Sequence, residues 1–242
     1  MPTTHDEAKR QVRTRVWDAL DAASATYNDT AHGRIPHFRG ADRAAARLAD
    51  LPAWQAATTI KSVPDKAQLP VRARALADGK TVYMAVPRLA TPRPFYLLDP
   101  AALAVPPLEA ATSRVAATVA PTVDVDGLRS IQLVVLGSVA VDRGGTRIGK
   151  GAGYSDLEFA LLTEAGLITP ETLVVTTVHP LQVIDEPIPA TEHDVGVDLI
   201  VTPDAVITCP TPHRPAGILW EHLDVRKIAE IPALERRYTE RR

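Results

Sequence analysis

The chain has 242 residues, 45% of them hydrophobic, enough for one compact domain, with or without terminal arms, to bury a substantial core. Lys and Arg number 27 against 29 Asp and Glu, a formal net charge of -2, so no global field draws nucleic acid or an anionic membrane to the chain. The single cysteine, Cys209, excludes an internal disulfide and a thiolate zinc site, and no apolar run approaches the ~18 residues that cross a bilayer.

The N-terminal run MPTTHDEAKRQVRTRVWDAL carries charge throughout and has no apolar leader segment, which points to the reducing cytoplasm. Residues 6–27 are expected to form a helix, because Val12, Val16, Leu20 and Ala23 recur near a 3.6-residue period. Lys9, Arg10, Arg13 and Arg15 fall on its other faces and offer a cationic surface to a partner or ligand. HGRIPHFRG (32–40) reads as a loop, ADRAAARLADL (41–51) as a helix stopped by Pro52, and 68–78 as a helix closed by Gly79. The prolines from Pro87 to Pro107 suit rigid connections.

Short β-rich runs then occur at TVYMAV (81–86), IQLVVLG (131–137), TLVVTTV (172–178) and VDLIVT (197–202). Continuous apolar runs of this length suit strands buried on both faces, and DLEFALLTEAG (156–166) supplies a helix between the second and third. The expected fold class is therefore α/β, a mostly parallel sheet covered by helices on both faces in three Rossmann-like layers. We expect a single domain over 1–242, with a C-terminal arm from about 221. That arm, which contains ERRYTERR, runs over the surface or packs on a neighbouring chain, so a homodimer is allowed.

The chemistry is concentrated in VLGSVAVDRGGTRIGKGAGYSDLEFALL (135–162). A strand ends at Gly137, DRGG turns, and Gly149, Gly151 and Gly153 alternate before a helix starting near Asp156. Glycines let backbone N–H groups converge on an anion, and a following helix N-terminus adds partial positive charge. Lys150 and Arg147 supply full charges. Taken alone, the loop matches neither GxxxxGK[ST] nor the dinucleotide fingerprint, and glycines that merely shape a strand-to-helix turn explain it equally well.

Together with its surroundings, the segment resembles the 5-formyltetrahydrofolate cyclo-ligase family, also called methenyltetrahydrofolate synthetases. DRGGTRIGKGAGYSD (142–156) is similar to the family signature and KRQVR (9–13) to its N-terminal Lys-x-x-x-Arg. GKTVYMAVPRL (79–89) is similar to its Gly-Lys-strand-Pro segment, and VHPLQVIDEPIPATEHDVGVDLIVT (178–202) to its aspartate-bearing strand pair. The resemblance spans almost the whole chain. It implies a ligase that uses ATP and Mg²⁺ to join an N-formyl group to a nearby amine, by phosphorylating the formyl oxygen before the amine attacks.

Residue by residue, the resemblance implies Lys9, Arg13, Arg147, Gly149, Lys150, Gly151, Ala152, Gly153, Tyr154 and Ser155 around ATP, with Arg147, Lys150 and Tyr154 catalytic. It implies Asp156 and Asp194 on Mg²⁺, and Asp65, Gly151, Gly153 and Tyr154 against a folate-like or other formamide substrate. An ordinary solvated helix face for Lys9 and Arg13, an N-cap for Asp156 and a turn cap for Asp194 are the structural alternatives.

The sequence departs from the family in two places. The family's Tyr-Tyr-Asp-Arg is Tyr154-Ser155-Asp156-Leu157 here, and its pterin-binding glutamate falls near Ala67 and Gln68, with Asp65 the nearest carboxylate. These departures match a divergent branch that includes methenyltetrahydrofolate synthetase domain-containing proteins. They make 5-formyltetrahydrofolate an expected poor substrate, with Ala67→Glu and Leu157→Arg expected to restore turnover. The rival is a nucleotide-binding or RNA-associated scaffold module that has lost turnover, although no RNP-type aromatic motif or basic domain supports contact with RNA. His32, His37, His179 and His193 show no cluster at metal-ligand spacing and read as polar loop or strand-end residues. Trp17 and Trp54 read as core or interface, and Cys209, without a cationic neighbour, as inert.

Overall fold

The structure, a computed structural model, describes residues 4–210 and 212–241; residues 1–3 of the N-terminal run discussed above lie outside them. In chain order the elements are α1 (Thr4–Ala22), α2 (Ala41–Ala49), α3 (Pro52–Ala56), β1 (Thr59–Ser62), α4 (Leu69–Ala77), β2 (Thr81–Ala85) and β3 (Phe95–Leu98). There follow α5 (Pro107–Ala110), α6 (Ser113–Val119), β4 (Thr122–Val123), β5 (Leu133–Leu136), β6 (Ala140–Asp142), β7 (Arg147–Ile148) and α7 (Tyr154–Glu164). The last are β8 (Leu173–Thr177), β9 (Val183–Ile184), β10 (Leu199–Val201), β11 (Val206–Thr208), α8 (Val225–Glu230) and α9 (Pro232–Glu240).

The main sheet has the order β11-β10-β8-β5-β1-β2-β3-β4. Its five central strands, β10 to β2, are parallel, and the edge strands β11, β3 and β4 pair antiparallel. Successive side chains alternate between two cores, as strands buried on both faces require. Ile60, Val82, Met84, Leu133 and Val135 pack with α2 and α4 residues such as Ala45, Leu48 and Val71. Tyr83, Val134, Leu136 and Val174 pack on the other face with Phe159 and Leu162 of α7 and with Ile228, Ile231 and Leu234 near the C-terminus. A second sheet, β7-β6-β9, forms a third cluster with Val12, Val16 and Leu20 of α1. This is the α/β fold expected. No helix among the described residues is long and apolar enough to cross a membrane.

Several boundaries differ from the sequence reading for identifiable reasons. α1 stops at Ala22 because Ser24 takes a positive φ of 49° and Thr26 forms a β-bridge with Phe38, which leaves Ala23 exposed beyond the helix. α7 starts at Tyr154, two residues early, because Gly153 in a left-handed conformation begins it. DRGG is the tip of the β6–β7 hairpin, whose short strands have too few residues to show a period. Pro52 opens α3 and Pro107 opens α5, since the missing N–H costs nothing in a first turn.

β1 escapes an apolar-run search because Lys61 interrupts it. Lys61 and Glu158 of α7 have side chains only 1% and 6% exposed and form an ion pair. Removing one partner of such a pair strands a buried charge, whereas replacing both with apolar groups is often neutral. Lys61→Met alone is expected to lose about 3–5 kcal/mol of stability in urea unfolding, and Lys61→Met with Glu158→Leu to recover most of it. A double variant as unstable as either single one would show that the pair is not the constraint.

Candidate functional site

The chain leaves β1 through α4 to reach β2 on one side, while β5 pairs on the other. The strand order therefore reverses between β1 and β5, and in open parallel sheets ligands bind in the crevice beyond the carboxyl ends of the strands at such a point. A cavity of about 650 Å³ opens there. It is lined by Val63 and Asp65 after β1, Gly137 after β5, the whole stretch Arg147–Asp156, and Lys9, Arg13 and Asp194.

The loop enters from β7 and turns through Gly151 (φ 100°) and Gly153 (φ 71°), conformations that L side chains rarely adopt. Gly153 caps α7 with no side-chain acceptor, so an anion placed here would satisfy first-turn N–H groups and meet the positive end of the helix dipole. Arg13 of α1 donates from Nε to the Gly149 carbonyl at 2.7 Å, and a Cβ on Gly151 would lie 3.6 Å from its Cζ. Burial lowers the Arg13 pKa, opposed by Asp194 and Asp6. Lys150 is exposed between this cavity and a neighbouring one beside His37 and Lys66. Ala152 and Ser155 line the main cavity. Tyr154 lines it too, with Lys227 Nζ 3.9 Å from its ring centroid.

Asp156 is the third residue of α7 and not its N-cap. Its Oδ1 accepts from Arg147 Nη1 at 3.0 Å and from the Val195 amide at 3.2 Å. Arg147 is buried, and its Nε has no hydrogen-bond partner, a donor whose isolation costs on the order of 1–3 kcal/mol. Asp194 Oδ2 accepts from Lys9 Nζ at 2.5 Å and from the Thr191 amide and hydroxyl at 2.6 and 3.0 Å. Burial of Asp194 opposes ionisation, but the bonds from Lys9 and Thr191 together outweigh it and hold its pKa below the ordinary carboxylate range. Lys9 is thus buried in an ion pair and not part of a solvated helix face.

The two aspartates approach the same rim because Asp156 bonds the amide of the residue after Asp194. Two carboxylates on the rim of a cavity are donors that suit Mg²⁺, a hard ion that takes one or two protein oxygens and completes its shell with other oxygens and water. Lys9, Arg13, Arg147 and Lys150 bring matching positive charge.

Asp65 enters the cavity from the turn after β1. Arg72, fully buried, holds this turn by donating to the carbonyls of Val63, Pro64 and Asp65 and, through Nε, to Ala111. Burial brings the Arg72 guanidinium down to a pKa of about 10, with Asp65 opposing. Burial likewise raises the Asp65 pKa, against the opposing pull of Lys150, Arg72, Lys61 and Arg147. Nothing in the sequence marks Arg72 for this role, since it stands between apolar neighbours on an ordinary helix.

Three further expectations need correction. Ala67 is buried at 1% exposure against the α4 side of the sheet, and Gln68 is buried, donating from Nε2 to Thr177 with its Oε1 unpartnered beside Gly137, so neither lines the cavity. Ala67→Glu would bury a carboxylate and is no route to a folate acceptor. Leu157 points instead into a second, mostly apolar cavity of about 270 Å³, shared with Ile218, Leu219 and Leu223. Finally, His193 does have partners: it meets Glu192 and His222, the latter 29 residues on and invisible to spacing rules. Of the remaining residues, His32 pairs with Asp18 and His179 caps a short turn. Trp17 and Trp54 are core, and Cys209 is buried with its thiol pushed up to about 11.

The model of the 5-formyltetrahydrofolate cyclo-ligase family matches residues 5–203. Methenyltetrahydrofolate synthase domain-containing protein from Mus musculus is 39% identical over 97% of this chain and 64% of its own length, and that from Bos taurus 39% over 94% and 61%. The chain thus spans a little over three fifths of these relatives. Among solved structures, Aquifex aeolicus 5,10-methenyltetrahydrofolate synthetase aligns with a TM-score of 0.54 at 19% identity, covering 91% of this chain and 100% of that one, which shows a shared fold. The chain belongs to the 5-formyltetrahydrofolate cyclo-ligase family.

The opposite shifts of Asp194 and Asp65 give opposite pH signatures. Asp194, with a lowered folded pKa, contributes stability above the ordinary carboxylate pKa of about 4 that is lost as pH falls through the folded value. Asp65, with a raised one, costs stability once pH rises through its folded value. Thermal melts across pH 3–8 are expected to show Asp65→Asn more stable than the unmodified protein near neutrality, with the gap closing in acid. Asp194→Asn is expected to be less stable near neutrality, also converging in acid. Parallel curves for all three would remove the electrostatic account.

Proposed function

We propose that this cyclo-ligase family member is an ATP- and Mg²⁺-dependent ligase. It phosphorylates a formamide or amide oxygen so that an amine of the same molecule attacks the activated carbon, on 5-formyltetrahydrofolate or a related metabolite. The observation that carries this reading is the convergence, at the strand-order reversal, of the Gly149–Gly153 loop, five cations including Arg88, and the Asp156/Asp194 pair. An amide carbonyl is a poor electrophile and its oxygen a poor leaving group; phosphorylation corrects both, and the adjacent amine closes the ring as phosphate departs. Such a reaction needs positioning and charge neutralisation and no side-chain nucleophile.

In this reading Lys150 and Arg13 neutralise phosphate oxygens, and the amides of the loop and first turn of α7 receive the transferring group. Arg147 and Lys9 would face phosphate oxygens, and their present partners Asp156 and Asp194 would hold Mg²⁺. Tyr154 and Asp65 face the substrate, Asp65 acting as the acceptor for a ring donor. The chain acts as one unit over 1–242, in the cytoplasm.

A nucleotide-binding module without turnover is the second reading, favoured by the burial of Ala67 and Gln68 where the family glutamate is expected. ATP consumption with 5-formyltetrahydrofolate, read beside the near-ultraviolet absorbance of a methenyl product, separates the two. The ligase reading expects ATP-dependent product, slow on folate; nucleotide binding with no consumption across a panel of formamide substrates favours the module. Lys150→Ala is expected to weaken ATP binding about 10- to 100-fold, on the order of 1–3 kcal/mol for a charge-assisted contact. Unchanged affinity in calorimetry would remove Lys150 from the site.

A further inference from the structure

Beside the loop cavity, Glu192, His193 and His222 bring one ligand atom each within 4.8 Å of one another. His222 Nδ1 lies 3.2 Å from His193 Nε2 and 3.2 Å from Glu192 Oε1. A ring nitrogen carries either one proton or one lone pair, so it cannot serve both neighbours well. A cation among the three atoms serves all of them at once. Zn–N bonds of about 2.0–2.1 Å at a tetrahedral angle place two ligand atoms roughly 3.3 Å apart, close to the two 3.2 Å distances from His222, with the third pair within 4.8 Å.

We propose that Glu192, His193 and His222 form a site for a divalent transition metal, with Zn²⁺ as the model ion. Two imidazoles and one carboxylate favour such an ion over Mg²⁺ or Ca²⁺, which prefer all-oxygen shells. Three protein ligands leave a coordination position open, and both histidines line the apolar cavity that Leu157 and Ile218 also face. The loop carrying two of the ligands is itself held, since His213 Nε2 lies 3.0 Å from the Glu192 carbonyl oxygen. The ion ties His222, in the segment leading to α8, to the loop whose next residue, Asp194, pairs with Lys9. The site stands on its own atoms and does not depend on the ATP reading.

Zn²⁺ titrated calorimetrically into the chelator-treated full chain, without nucleotide, tests the assignment, with Co²⁺ absorbance reporting the coordination geometry. One ion per chain is expected. His193→Ala and His222→Ala should each weaken binding at least tenfold, while His32→Ala leaves it unchanged and millimolar Mg²⁺ fails to compete. All three ligand residues are exposed, so the variants should keep the far-ultraviolet dichroism of the unmodified protein. Absence of stoichiometric binding by the unmodified chain, or an affinity indifferent to both histidine substitutions, overturns the proposal.

Discussion

A lysine in the middle of a fully covered strand demands a carboxylate, and much of the architecture follows from how that demand is met. An unpaired ammonium at Lys61 would cost several kcal/mol, so Glu158 must reach it from α7. That contact sets both the rotation and the height of α7 against β1. Tyr154 stands one turn before Glu158 on the same helix, and the glycine loop ends immediately before Tyr154. Fixing the pair therefore delivers the amino end of α7 to the carboxyl ends of β1 and β5, where the crevice lies.

Around this anchor the charges are arranged in matched couples: Lys9 with Asp194, Arg147 with Asp156, and Arg72 against the turn that carries Asp65. Each acid that suits a metal is held by a base that suits a phosphate. The cavity is thus kept near charge balance without ligands, at the cost of a raised Asp65 pKa and a buried Arg147 Nε with no partner. Imperfections of this kind concentrate where function is expected, because satisfying every group internally would leave nothing for a ligand to complete.

The legible parts of the sequence were those with a local cause. Apolar runs marked β2, β5, β8 and β10, since strands covered on both faces need no alternation of polarity. The glycine loop was legible because its backbone conformations restrict which residues stand there. β1 was hidden by Lys61, β6 and β7 by their brevity, and α5 by a proline that starts a helix as readily as it ends one. Partnerships across long separations, such as Lys9 with Asp194 or His193 with His222, left no trace in spacing. The misplacement of the folate acceptor at Ala67 has a similar origin. Counting residues through a short helical turn does not say which side faces the crevice, and here that side is the core.

α7 contributes to two adjoining chambers. The loop-facing chamber is lined by residues within the span that matches the family model, whereas the apolar chamber adds Ile218, Leu219, Leu223 and Lys227, beyond that span, to Leu157, Ala160 and His193 within it. Changes in the C-terminal segment would therefore reshape one chamber while leaving the lining of the other in place. In that sense the walls of the two chambers draw on partly separable stretches of chain, joined through a single helix.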